Sequence, residues 1–141
     1  MSSNAARART VTWLWPIMLL LGLVVAPLAW MVLALMTGRQ VGWMAVLTAL
    51  ELVFMLRMGT LGPGRLRIVL VVVGTLLVAA VANWTIASAW MGGSIGLDLW
   101  DATMRMGPHL AWTLITLANG AVEWLWLWLA LGLAVGAWLA R

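Results

Sequence analysis

Few residues of this 141-residue chain can do chemistry, and most of them lie between His109 and Trp128. The stretch HLAWTLITLANGAVEWLWLW is apolar enough for lipid, yet it carries His109, Thr113, Thr116, Asn119 and Glu123. On one continuous helix, turning about 100° per residue, His109, Thr113, Thr116, Gly120 and Glu123 share a face, with Asn119 beside it. An ionisable group in an apolar span is costly, so this stripe is expected to face protein or a wet cavity. Glu123 is expected near the bilayer midplane. Glu51 is expected in the inner half of another span, with Thr48 one turn earlier on its face. Arg57 cannot serve Glu51 within the helix, because six residues place it ~240° round. A carboxyl so placed can alternately hold a proton or a cationic substrate, as in a proton-coupled exporter. It can equally hydrogen-bond to Asn83, Asn119 or an indole N–H and hold the helices together.

Asp98, Asp101 and His109 form a second group. Two carboxylates and an imidazole suit a divalent metal. Arg105 sits among them, opposes a metal and favours an ordinary salt-bridge network, with Asp101 and Arg105 spaced as an i, i+4 pair. The expectation is therefore no metal and no cofactor, and no catalytic residue is assigned. The third group is basic. Arg57, Arg65 and Arg67 flank the glycine-rich stretch RMGTLGPGRLR, where each can contribute roughly 1 kcal/mol against anionic lipid headgroups. That stretch lacks the Lys-Ser/Thr ending and the preceding strand of a phosphate loop.

The elements that position these groups follow from composition. The chain is 65% hydrophobic and 9% charged, with a mean hydropathy of +1.07, which leaves no room for a separate soluble domain. There is no cysteine, so disulfides and thiolate chemistry are excluded. All basic residues are arginine, which reads as codon bias. The net charge of +4 points to no nucleic acid, because the arginines sit at the ends of apolar spans. One membrane domain, residues 1–141, is expected: an all-α, up-down-up-down bundle of four transmembrane helices. The spans are placed at about 12–37, 41–56, 68–91 and 109–140. A cytoplasmic tail covers 1–11, a cytoplasmic loop 57–67, and an outer segment with a short interfacial helix 92–108. The first apolar run exceeds the roughly 7–15 residues of a cleaved signal core, so it is read as an uncleaved span. Pro27 is expected to kink it.

Thr75, Ala79, Asn83 and Ala87 recur every fourth residue, a small-residue stripe with Asn83 available for an interhelical bond. Gly132 and Gly136 form a GxxxG pair near the inner end of the last span. Arg7, Arg9, Arg57, Arg65, Arg67 and Arg141 fall on one side and Arg39 and Arg105 on the other. That bias predicts both termini in the cytoplasm and a bacterial inner-membrane location. Of the twelve tryptophans, Trp13, Trp15 and Trp138 suit the inner rim and Trp43, Trp90, Trp100 and Trp112 the outer. Trp124, Trp126 and Trp128 surround Glu123; they either pack or donate an N–H to a neighbouring helix, or Trp124 or Trp126 lines a pocket for a flat or cationic ligand.

Three classes of function follow. The leading expectation is an accessory or structural subunit acting by helix–helix contact, as a homo-oligomer or with a larger membrane partner. The second is an oligomeric proton-coupled transporter or channel using Glu123 and Glu51. The third is a lipid-modifying enzyme at Asp98, Asp101 and His109. An enzyme is the less expected outcome, because the longest connection has little room for a soluble scaffold.

Overall fold

The computed structural model describes residues 14–139, with the side chains of 137–139 left undescribed. Trp13, Arg7, Arg9, Arg141 and the Trp138 side chain therefore lie outside the described residues. The described chain is 85% helix and contains no strand. Six helices follow in order: α1 (Leu14–Thr37), α2 (Met44–Met58), α3 (Arg65–Ile95), α4 (Leu99–Arg105), α5 (Pro108–Ala118) and α6 (Ala121–Leu139).

Two helices, α1 and α3, are long and apolar enough to cross a membrane; a third crossing exists if the bent pair α5–α6 is one span. The outward faces agree. Leu20 and Leu28 of α1 and Val69 and Val73 of α3 are each more than half exposed. Such continuous apolar surface is stable only when lipid is the solvent. At ~1.5 Å per residue, α2 spans only about 22 Å, less than the ~30 Å hydrocarbon layer.

The helices meet through small residues, as expected where lipid competes equally for large apolar side chains. Leu52 of α2 is fully buried between α1 and α3. A methyl group at Gly22 would come within 3.1 Å of it, and one at Gly74 within 2.8 Å. Ala45, Ala49 and Ala82 complete this layer, and Ala130 and Ala134 seat α6 along α2 and α3. α1 runs unbroken through Pro27, which is buried.

Beyond Asn83, α3 continues for a further twelve residues, past the turn that joins α1 to α2. α4 and α5 pack on that upper part. α4 is anchored by buried Ala102 and Met106. Ser88 Oγ contacts Met106 Sδ at 3.5 Å, and Trp84 Nε1 donates to the Thr103 carbonyl at 3.4 Å. Gly92 lets α4 close down, since a methyl there would stand 2.8 Å from Ala102 Cβ. Gly96, at φ +71°, reverses the chain.

The α2–α3 loop departs from its expected use of glycine. The left-handed residue that ends α2 is Thr60, at φ 64°, while Gly59 keeps φ −70°. Gly59 serves proximity instead: a methyl there would overlap Trp15 Cα.

Two core hydroxyls are anomalous. Thr48 and Thr75 are 1% and 0% exposed, and neither Oγ1 has a partner. Every other described serine or threonine hydroxyl finds an acceptor, most often a carbonyl one turn back (Thr37, Thr85, Ser88 and Thr113 are examples). A buried unmade hydrogen bond costs about 1–3 kcal/mol. Thr75→Val keeps the shape and removes the hydroxyl, so it is expected to raise the unfolding temperature in mild detergent. A fall would show that an ordered water satisfies the group.

Candidate functional site

The last apolar stretch, expected as one helix over 109–140, is two helices that meet at 98°. The cause is local. Asn119 is extended, at φ −91° and ψ 105°, and Gly120 has a low helix propensity. The Asn119 backbone N–H closes α5 on the Ile115 carbonyl at 2.9 Å, and its side-chain amide donates to the same oxygen at 2.9 Å. This is the side-chain competition that makes asparagine a helix terminator. Asn-Gly is also a turn signal that could have been read in the sequence.

The break severs the polar stripe. His109, Thr113 and Thr116 are exposed on α5, opposite the Ala111 and Ile115 side that packs on α3. Thr113 and Thr116 spend their hydroxyls on carbonyls of α5 itself, at 2.9 Å each. The stripe therefore does not turn inward as a unit; only Asn119 and Glu123 do.

Asn119 reaches a three-amide node. Asn83 Oδ1 accepts from Gln40 Nε2 at 3.0 Å and from Asn119 Nδ2 at 2.9 Å, while Asn83 Nδ2 donates to the Ala79 carbonyl at 2.8 Å. The node ties the α1–α2 turn, α3 and the α5–α6 break together. Both N–H groups of the Asn119 amide are thereby used, and its carbonyl oxygen stays free to accept.

Beside the node, the bend opens a cavity of about 400 Å³. Trp30, Trp84, Trp112 and Trp124 line it, together with Asn83, Asn119 and Glu123. A second cavity of about 230 Å³ lies on the other side of Asn83 and is lined by Gln40 and Trp90. Glu123 is half-buried in the first turn of α6. Its carboxylate folds back over Gly120, with Oε2 3.3 Å from where a methyl there would stand. Its backbone packs on Gly42, where a methyl would lie 2.9 Å from Glu123 Cα. Glu123 thus sits level with the α1–α2 turn and not halfway down the helices.

Glu51 does not join it. Nine residues separate Gly42 from Glu51, or about 13 Å of helix, and Glu51 lines neither cavity. The two acids occupy different levels.

The other candidates are scattered. Asp98, Asp101 and Arg105 are exposed around α4. Among the described residues no three His, Asp or Glu side chains gather to hold a metal ion, so Asp98, Asp101 and His109 do not converge. Arg57 and Arg65 are exposed and Arg67 half-buried, all at the end of the molecule where Trp15 meets Gly59. Trp124 lines the main cavity, whereas Trp128 points away and is 69% exposed. Gln40, Gly42, Trp30 and Trp84 are site residues that the sequence alone did not mark, because each joins the cavity only through long-range packing. Comparison with protein-family models, with curated proteins and with solved structures finds no match to this chain.

Proposed function

We propose that the protein is a small bacterial inner-membrane transporter whose substrate site is the cavity at the α5–α6 break, with Glu123 as its charged group. The observation that carries this reading is the break itself. The helix interrupted at the Asn-Gly pair presents an acid, Glu123, to a largely apolar cavity. Irregular backbone of this kind is tolerated in membrane proteins where it lines a cavity. The cavity volume falls within the ~300–1,000 Å³ range of small-molecule sites.

In this reading the chain crosses four times, by α1, by α2 lengthened by the hydrogen-bonded turn at Val41–Trp43 that leads into it, by the first two thirds of α3, and by α6, with both termini in the cytoplasm. α4 and α5 form a cap at the outer interface, where the polar face of α5 meets water and headgroups. The arginines at the opposite end support that orientation.

The test is flux. Reconstituted in liposomes under an imposed pH gradient, the wild type is expected to dissipate the gradient with one class among a panel of organic cations, anions and neutral amphiphiles. Glu123→Gln is expected to move none. A wild type that moves nothing from the panel overturns transport.

A second reading, an accessory subunit or homo-oligomer, is favoured by one observation. Among the described residues, nothing lies within 4 Å of a methyl built at Gly132 or Gly136. This GxxxG face of α6 is open to a helix of another chain. Replacing both glycines with leucine should then abolish association in native mass spectrometry without changing the monomer's helix content.

A further inference from the structure

We propose that the cavity at the α5–α6 break binds an amphiphilic organic monocation, with Glu123 as its counter-ion and the Trp112 and Trp124 indoles against its body. This deepens the transport reading and rests on it.

Sign comes first. Glu123 is the only ionisable side chain among the described lining residues. Of the two lining amides, Asn83 ties one N–H to the Ala79 carbonyl. Asn119 has committed both its N–H groups to Asn83 Oδ1 and the Ile115 carbonyl, so what it presents is an oxygen. The C-terminal end of α5, the negative end of its dipole, also abuts the cavity at Ile115 and Asn119. The N-terminus of α6 would suit an anion, but its first turn already carries the Glu123 carboxylate, whose Oε2 lies 3.3 Å from where a methyl on Gly120 would stand. An anionic ligand would have to displace a carboxylate that is covalently tethered there.

Chemical class comes next. An inorganic cation would surrender its hydration shell for too few oxygens, since divalent ions need about six. No cluster of three acidic or imidazole groups exists among the described residues. The remaining wall is Leu76, Ala79, Ala80, Ala111, Ile115 and Leu127, which rewards apolar bulk. Four indoles line the cavity, and a cation is the charged species that an indole face attracts. One carboxylate balances one positive charge. A cavity of about 400 Å³ holds a body of one or two rings.

The probe is radiolabelled benzyltrimethylammonium, measured by saturation binding to the purified full-length protein in detergent. Competitors are the unlabelled cation, its neutral carbon isostere neopentylbenzene, and benzenesulfonate. We expect saturable binding that only the cation displaces. Glu123→Gln should weaken it at least tenfold and Trp112→Leu several-fold, both at wild-type unfolding temperature. The competition series needs no variant, so it stands even if Glu123→Gln folds poorly. If neopentylbenzene displaces the probe as well as the cation does, or Glu123→Gln binds normally, the cation assignment is overturned, while transport is decided separately by the liposome flux. If wild type shows no saturable binding of the probe, the cation assignment falls, and the transport reading falls with it only if the flux panel also moves nothing.

Discussion

Gly59→Ala is expected to stop α1 from closing onto the α2–α3 loop. The added methyl would overlap Trp15 Cα and lie 2.9 Å from Trp15 N, and both atoms are backbone. A flexible side chain can step aside for a few tenths of an ångström; a helix backbone cannot. Ordinary overpacking costs about 1–3 kcal/mol, and a clash that moves a whole helix exceeds it. The same loop supplies its own controls. Methyl groups at Gly62 and Gly64 meet nothing within 4 Å, so Gly62→Ala and Gly64→Ala should behave as wild type. The measurement is the monodisperse fraction by size-exclusion chromatography in mild detergent, with the unfolding temperature of what elutes. A Gly59→Ala protein that elutes and melts like the two controls would show that Trp15 and Gly59 are not in contact.

The second large effect is at Asn83. Asn83→Leu removes the one acceptor shared by Gln40 and Asn119, at 3.0 and 2.9 Å, and leaves both amides half-buried without it. Interhelical hydrogen bonds in membranes average ~0.6 kcal/mol and reach ~1.7. Two such bonds, with the added cost of stranded donors, put the loss at about 2–3 kcal/mol. Because Asn119 sits at the break, the loss should not stay local. Amide hydrogen exchange is expected to speed up along α5, whose hold on α3 runs through this node. Asn119→Leu should overlap with it, so the double variant should lose less than the two single losses added together. Strict additivity, or unchanged exchange in α5, would sink the idea that the node orients the bend.

These two sites divide what the chain says locally from what it says only when folded. The membrane nature of the protein is local: apolar runs without charges over Leu14–Thr37 and Arg65–Ile95 are long enough to cross, and hydropathy is a sum over residues. The all-helical character of the chain was legible in the same way, from long apolar runs broken only by short glycine- and proline-bearing stretches. The bend was legible in principle from Asn119-Gly120, but the 3.6-residue period of the flanking apolar residues argued for continuity across it. A period records which way side chains point only while the helix holds, so the break dissolved the His109–Glu123 stripe.

Tertiary structure alone decided the rest. It determined that Gly59 serves proximity and Thr60 the left-handed turn, because only the partner helix knows where Trp15 will be. It placed Gln40, a turn residue by sequence, on Asn83. It separated Glu51 from Glu123 by putting Gly42 beside the latter. The acid and the indoles that make up the candidate site come from helices up to about ninety residues apart, as Trp30 and Trp124 are. Their meeting depends on packing of small residues, Gly22, Gly74 and Gly42 among them, and no periodicity in the chain encodes which of those glycines faces which neighbour.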